Sequence, residues 1–265
     1  MNIGIFGIGV VGTAVYNGFI DKNKIFRYDT NLRYDNIRET VSNSEIIFVC
    51  VPTPSNNNKY QNRIQQDLSY VNNAVDLINT FSITDRKTIV IKSTITPGTT
   101  RRYALRYPRH NFVFNPEFLT ARTANEDFLK QVQIILGGDE LDKVEQLYKE
   151  TFPETLIRKI SWEEAELFKY TCNVFGAVKV TYANQIYKAC NKLNISYDVI
   201  KNLFIDNGWV NPMHLDVPGP DSLLGFGGAC FPKDIQAFIA WGEDQGMDMS
   251  TFIEVNTFNE KIRKD

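Results

Sequence analysis

Gly7-Ile8-Gly9-Val10-Val11-Gly12 is the stretch that decides the fold, because it joins an apolar run at Asn2–Phe6 to an amphipathic run at Val10–Phe19. The first run predicts a buried β-strand and the second predicts a helix. In a strand, turn and helix of this spacing, the first glycine makes the tight turn and the second lets backbone amides approach a pyrophosphate. The third lets helix and strand pack closely. The pattern is typical of a dinucleotide-binding fingerprint.

An acid after the next predicted strand indicates which dinucleotide binds. That strand covers residues 25–28, and Asp29 follows it, seventeen residues beyond Gly12. A carboxylate at this position accepts hydrogen bonds from the adenosine ribose hydroxyls and repels a 2′-phosphate. We therefore predict NAD as the cofactor, while Arg33 nearby leaves NADP as the alternative.

Short apolar runs alternate with amphipathic runs through the first half of the chain. This alternation predicts a doubly wound, mostly parallel α/β domain of the Rossmann type over residues 1–160. The predicted strands cover residues 2–6, 25–28, 46–51, 88–91, 112–114 and 131–136, and the predicted helices include residues 10–19, 67–80 and 99–107. The Asn-rich residues 55–62 are expected to form a polar surface excursion.

The second half of the chain has a different pattern. Trp162–Leu193 contains no proline and carries apolar residues at helical spacing, which predicts one long helix. Residues 196–204 and 234–241 predict further helices, separated by a Gly- and Pro-rich loop over residues 207–232. We therefore expect an α-helical domain over residues 161–265.

Composition excludes several classes of function. The 29 Lys and Arg residues are balanced by 31 Asp and Glu residues, so no positive field favours a nucleic-acid partner. The four cysteines lack the close spacing of zinc or redox motifs, and two histidines are too few for most zinc hydrolases. No run has the length of a membrane span once the N-terminal glycines are counted. We predict a soluble cytoplasmic protein with no metal and no membrane partner.

Residues 227–234 bring a thiol, an amine and a carboxylate close together, as Cys230, Lys233 and Asp234, after the diglycine Gly227-Gly228. The glycines allow close backbone approach. A thiol beside a cation has a reason to lose its proton and attack a carbonyl, although packing is the commoner fate of a cysteine. Spacing alone leaves both interpretations open.

Three further side chains are candidates for a site. Lys169 and Asn173 are four residues apart, so they share a helix face and could stabilise an oxyanion. Spacing alone favours a solvated face for both. Glu117 follows a predicted strand, where ligand sites of α/β proteins collect, although a surface acid is the default.

Seven ordered blocks resemble the UDP-glucose/GDP-mannose dehydrogenase family, from Met1 to almost the last residue. They are the fingerprint, Val51-Pro52-Thr53-Pro54, Asp67-Leu68-Ser69-Tyr70-Val71, Lys92-Ser93-Thr94-Ile95-Thr96-Pro97-Gly98-Thr99-Thr100, Asn115-Pro116-Glu117-Phe118-Leu119, Ala165-Glu166-Leu167-Phe168-Lys169-Tyr170 with Asn173, and residues 227–234.

The resemblance implies oxidation of a nucleotide sugar's C6 alcohol to a carboxylate by two hydride transfers to NAD, with UDP-glucose as the favoured substrate. It also implies a role for each matched polar residue. These are Cys230 for covalent capture of the aldehyde, Lys169 and Asn173 for the oxyanion, Asp234 for proton transfer, Glu117 and Thr94 for the hydrolytic water, and Thr53, Thr94 and Lys233 for cofactor contacts.

The chain departs from the family pattern in two ways. Members usually carry a second acid four residues after the position of Glu117, where this chain has Ala121. They also continue into a second α/β domain that binds the nucleotide, so the resemblance implies that this domain is absent from a chain ending at Asp265.

The resemblance further implies a homodimer formed through the long helix. Two alternatives stay open. A two-electron 3-hydroxyacid dehydrogenase shares the fingerprint but needs no thiol, and a truncated NAD-binding regulatory subunit would have no independent activity.

Overall fold

The computed structural model describes residues 1–31, 36–58 and 63–264. Two compact units divide the chain, and each is described separately. Unit 1 comprises Met1–Pro54 and Gln66–Lys169, and unit 2 comprises Ser55–Gln65 and Tyr170–Asp265. The domain boundary near residue 160 stays a prediction.

Along the described residues up to residue 160, strands alternate with helices except where three strands follow one another between residues 46 and 66. The strands are β1 (Asn2–Phe6), β2 (Lys24–Tyr28), β3 (Ile46–Val49), β4 (Ser55–Asn58), β5 (Arg63–Gln66), β6 (Thr88–Ile91), β7 (Asn111–Phe114), β8 (Gln133–Gly137) and β9 (Leu156–Ile160). The helices are α1 (Val10–Phe19), α2 (Ile37–Asn43), α3 (Ser69–Phe81), α4 (Thr99–Arg106), α5 (Ala124–Leu129), α6 (Asp142–Thr151), α7 (Trp162–Leu193), α8 (Tyr197–Asp206), α9 (Phe231–Asp244) and α10 (Ser250–Ile262).

Unit 1 is built on a seven-stranded sheet in the order β2-β1-β3-β6-β7-β8-β9. The first five strands in that order are parallel. Strand β8 runs antiparallel to β7, and β9 is parallel to β8. The predicted fold class, a doubly wound and mostly parallel sheet followed by a helical region, is confirmed.

The sheet is covered on both faces, because successive side chains of a strand point to opposite sides. Phe48 of β3 packs into a core cluster with Phe19 and Tyr148. Its neighbours Ile47 and Val49 pack into a second cluster. Every residue of β3, β6 and β7 is buried, which explains why these strands are mostly apolar.

Three strands were not predicted from the sequence. Strand β9 forms the sheet edge and is largely exposed, so its charged residues hide its apolar pattern. Within the polar surface excursion expected over residues 55–62, residues 55–58 form β4, which pairs with β5. The remaining residues of that excursion, 59–62, lie outside the described residues.

Unit 2 is helical apart from this strand pair. The long helix predicted at Trp162–Leu193 is confirmed as α7, and the division between the units falls within it. Its second part carries two apolar clusters, one around Tyr170 and Val174 and the other around Ala183 and Cys190. Over the described ranges, no helix is long and apolar enough to cross a membrane.

Helix α9 begins at Phe231, three residues earlier than the sequence analysis places it. Pro232 therefore lies in the first helical turn, where its missing N–H has no helical partner to lose. The Gly- and Pro-rich loop ends correspondingly at Cys230, which caps the helix.

Candidate active site

Unit 1 collects the predicted cofactor residues at one edge of its sheet. The fingerprint follows β1, Asp29 follows β2 and Thr53 follows β3 shortly after its end. Thr94 and Glu117 come shortly after β6 and β7. Because these five strands are parallel neighbours, their carboxyl ends lie at the same edge, where doubly wound proteins bind ligands.

Each glycine of the fingerprint occupies its position for a different local reason. Gly7 has φ of 87°, a left-handed conformation that favours glycine. A Cβ at Gly12 would lie 1.9 Å from the Gly7 carbonyl oxygen, so no side chain fits between turn and helix. A Cβ at Gly9 would meet no protein atom within 4 Å.

The same loop opens α1, whose N-terminus receives no side-chain cap. Free backbone amides at a helix N-terminus attract an anion. Together with the open space beside Gly9, they form a cradle that fits the pyrophosphate of NAD.

Asp29 is held against this loop by two backbone hydrogen bonds. The Ile8 amide donates to Oδ2 at 2.8 Å, and the Asn31 amide donates to Oδ1 at 2.9 Å. These contacts fix the carboxylate at the carboxyl end of β2, where it can also accept ribose hydroxyls. Arg33, the residue that leaves NADP open, lies outside the described residues.

Thr53 and Thr94 are buried beside the same edge. The Thr94 carbonyl accepts a hydrogen bond from Gln66 Nε2 at 2.7 Å, which ties the loop after β6 to the last residue of β5. The cofactor contacts of both threonines stay predictions.

Glu117 and Lys169 form a buried ion pair. Lys169 Nζ lies 3.0 Å from Glu117 Oε1 and also donates to the Glu117 carbonyl oxygen. Burial raises the pKa of Glu117, but the Lys169 ammonium, the Leu119 amide and Lys92 together hold that pKa below its usual value. The carboxylate is therefore ionised at neutral pH and can accept a proton from water.

Behind this pair lies a buried polar network that the sequence analysis did not assign. Asn115 Oδ1 accepts hydrogen bonds from Lys92 Nζ at 2.8 Å and from the Tyr148 hydroxyl at 2.5 Å. Burial lowers the pKa of Lys92 to about 8. The network ties the ends of β6 and β7 together immediately before Glu117. A lysine directly after a continuous apolar strand is the signal that could have identified it.

Glu166 is a further residue for which the sequence analysis predicted no role. Its carboxylate is fully buried and accepts hydrogen bonds from the Gly98 amide, the Thr100 amide and the Thr100 hydroxyl at 2.6–2.8 Å. These donors form the N-terminus of α4, which has no cap of its own. Burial raises the pKa of Glu166 to about 7, against the hydrogen bonds, which lower it.

Unit 2 groups the remaining candidates. Asn173 Nδ2 donates to Asp234 Oδ2 at 2.5 Å, and both side chains are buried. Lys233 Nζ is paired with Asp234 Oδ1. Cys230 is exposed at the N-cap of α9, and its carbonyl accepts the helix bond of the Asp234 amide at 2.8 Å.

Spacing alone favours a solvated face of α7 for Lys169 and Asn173, and this prediction is wrong for both residues. Lys169 is 3% exposed and Asn173 is 8% exposed. The two lie one helical turn apart on α7, with Lys169 paired to Glu117 in unit 1 and Asn173 paired to Asp234 in unit 2. The catalytic roles of Cys230, Lys169, Asn173, Asp234, Glu117 and Thr94 stay predictions.

Two family descriptions match the chain and together cover nearly all of it. The NAD binding domain of the UDP-glucose/GDP-mannose dehydrogenase family matches residues 17–154, and the central domain of the same family matches residues 163–261. The chain belongs to the UDP-glucose/GDP-mannose dehydrogenase family. The predicted cofactor, NAD, is confirmed by the first match.

Two known members of the family show how much of their sequence this chain matches. The GDP-mannose 6-dehydrogenase of Pseudomonas aeruginosa is 32% identical over 219 residues, covering 76% of this chain and 47% of its own length. The UDP-glucose 6-dehydrogenase of Rickettsia bellii is 34% identical over 214 residues, covering 75% of this chain and 45% of its own length. The chain therefore spans less than half the length of these two enzymes.

A solved structure of the family has the same fold. The UDP-glucose dehydrogenase of the hyperthermophilic archaeon Pyrobaculum islandicum superposes with a TM-score of 0.87 at 26% identity. The match covers 98% of this chain and 68% of that one.

Proposed function

We propose that this protein is an NAD-dependent 6-dehydrogenase of nucleotide sugars, which oxidises the C6 alcohol of UDP-glucose to the carboxylate. The observation that carries the proposal is the start of α9, where an exposed thiol, Cys230, precedes a buried carboxylate, Asp234, held by Asn173. An exposed cysteine at a helix N-terminus is suited to nucleophilic attack, because the helix end stabilises the thiolate.

The first oxidation converts the alcohol to an aldehyde. Bound NAD accepts a hydride in each of the two oxidations. Lys169 and Asn173 would donate hydrogen bonds to the C6 oxygen as negative charge develops on it. Asp234 would take up the alcohol proton through water.

A cysteine explains how the aldehyde avoids escape between the two oxidations. The Cys230 sulfur attacks the aldehyde carbon to give a thiohemiacetal, and loss of a second hydride and a proton gives a thioester. Water then cleaves the C–S bond, which releases the carboxylate and regenerates the thiol. Glu117, ionised beside Lys169, would deprotonate that water.

A stoichiometric assay tests the proposal. We expect two NADH per carboxylate formed with one member of a panel of UDP and GDP sugars, and UDP-glucose should be the best. Cys230→Ser should form no carboxylate while binding NAD normally, and Cys172→Ser on α7 is the matched control. One NADH per product, or carboxylate formation by Cys230→Ser near the wild-type rate, would contradict the covalent mechanism.

We also propose that the protein is a homodimer. Helices α7 and α8 carry large apolar side chains that are 48–62% exposed, namely Phe175, Tyr182, Val199 and Leu203. Phe175 and Tyr182 are seven residues apart on α7, so they lie on one face of the helix. Sedimentation should give a dimer at micromolar concentration, and Phe175→Asp should give a monomer that still binds NAD.

A further inference from the structure

The loop that leads into Cys230 is held by side chains from the last helix. Asn259 of α10 makes a two-way contact with the backbone of Phe226. Its Oδ1 accepts from the Phe226 amide at 2.7 Å, and its Nδ2 donates to the Phe226 carbonyl at 3.0 Å. Asn259 is 4% exposed, so water does not compete for these bonds.

Arg263, one helical turn after Asn259, binds the same loop through its guanidinium group. Its Nη1 donates to the Leu224 carbonyl at 3.2 Å, and its Nη2 donates to Asp221 Oδ2 at 2.7 Å. Asn184 of α7 completes the set, because its Oδ1 accepts from the Gly225 amide at 3.0 Å.

The glycines of the loop fit these side chains closely. A Cβ at Gly225 would lie 2.4 Å from Asn259 Oδ1, and a Cβ at Gly227 would lie 2.5 Å from Arg263 Nη2. Gly228 meets no atom within 4 Å but has φ of 75°. Two of the glycines that precede Cys230 therefore make room for the protein's own α10 side chains.

We propose that Asn259 and Arg263 are positioning residues that hold residues 224–226 and thereby fix the Cys230 thiol at the N-terminus of α9. The hydrogen-bonded backbone ends at Phe226, four residues before Cys230, and the Cys230 carbonyl accepts the first helical bond of α9. A loop released from α10 would let the thiol move away from the helix end. The catalytic part of this inference rests on the proposed function of Cys230.

Alkylation of Cys230 tests the placement of the thiol without any substrate. Iodoacetamide at pH 7, followed by peptide mass spectrometry, gives a rate constant for this cysteine alone. Because the thiolate is the attacking form and the helix end stabilises it, Asn259→Ala should react about tenfold more slowly. Asn256→Ala is the matched control, since Asn256 lies on the same helix and its side-chain amide donates to Glu260, away from the loop. An unchanged or higher rate in folded Asn259→Ala would overturn the proposal.

The kinetic readout separates positioning from general damage. In Asn259→Ala we expect kcat to fall by about tenfold to a hundredfold, the effect of misplacing a reacting group by about 1 Å. The KM for NAD should stay unchanged, because the fingerprint belongs to unit 1. If the wild-type protein oxidises no sugar nucleotide, the proposed function fails while the alkylation result still decides the placement.

A second pair of variants keeps the test independent of Asn259→Ala folding well. Gly227→Ala should slow alkylation by displacing the Arg263 guanidinium, and Arg263→Ala should slow it to a similar extent. In the double variant the clash is gone, so adding Gly227→Ala to Arg263→Ala should cost nothing further. Fully additive effects would show that Gly227 and Arg263 act separately and would refute the proposed role of Arg263 in holding the loop.

Discussion

Replacing Lys169 with methionine should destabilise the protein strongly, because it leaves the Glu117 carboxylate buried without its nearest cation. Lys169 Nζ lies 3.0 Å from Glu117 Oε1, and the two side chains are only 3% and 10% exposed. Removing one partner of a buried pair costs about 3–5 kcal/mol, whereas exposed pairs contribute about 0–1 kcal/mol. We expect the free energy of unfolding to fall by about 3–5 kcal/mol in Lys169→Met.

Urea denaturation at pH 7 measures this change. Lys159→Met is the matched control, since Lys159 Nζ lies 2.7 Å from Glu145 Oε2 but is 46% exposed. Its loss should cost no more than about 1 kcal/mol. Equal costs for the two variants would refute the reasoning.

The pH dependence gives a second check on the same pair. In the wild type the pKa of Glu117 lies below its ordinary value of 4.5. The ionised Glu117 therefore makes its full contribution to the free energy of unfolding above pH 4.5. It is lost as the pH falls through the lowered folded pKa. The difference between wild type and Lys169→Met should therefore shrink in acid. The double variant Glu117→Gln/Lys169→Met should recover most of the loss at pH 7, because neither residue of the pair then carries a charge.

The protein should bind NAD at least about tenfold more tightly than NADP, about 1.4 kcal/mol, and Asp29→Asn should narrow that ratio in calorimetry. Gly12→Ala should cost about 1–3 kcal/mol or more in stability, because its Cβ meets the Gly7 carbonyl, whereas Gly9→Ala should fold normally and lose NAD affinity. Burial raises the pKa of Glu166 from 4.5 to about 7, so its stabilisation is complete below pH 4.5 and is lost as the pH rises to 7. The non-titrating Glu166→Gln should lack this loss, so urea unfolding should show the wild-type minus variant difference falling by about 3 kcal/mol across that range. Parallel pH curves for the two chains would contradict the raised pKa.

The fold could be predicted wherever burial governs the local pattern. Strands β3, β6 and β7 are covered on both faces, and their continuous apolar runs were recognised in the sequence. Strand β9 lies at the edge and carries Arg158 and Lys159, so it has no such run. Helices α2, α5, α6 and α10 were not predicted either, and α10 turned out to hold the loop before Cys230.

The site could be predicted only in part, because spacing along a helix says which residues share a face but not what covers that face. Lys169 and Asn173 were correctly placed on one face, and the burial of that face follows from partners far away in the sequence. Glu166 receives hydrogen bonds from residues 66 and 68 positions before it, a relation that no local pattern records.

The glycines of the fingerprint and of residues 227–234 show that a motif glycine does not always leave space for a ligand. A glycine in a functional motif is commonly interpreted as room for a ligand, but at Gly12 and Gly227 the room is taken by the protein's own atoms, a carbonyl oxygen and a guanidinium. At Gly9 the space beside the missing Cβ is open. Gly9 is therefore the fingerprint position where a methyl group would obstruct a ligand without disturbing the fold. A loss of NAD affinity in a stable Gly9→Ala variant would identify that space as the one the pyrophosphate enters.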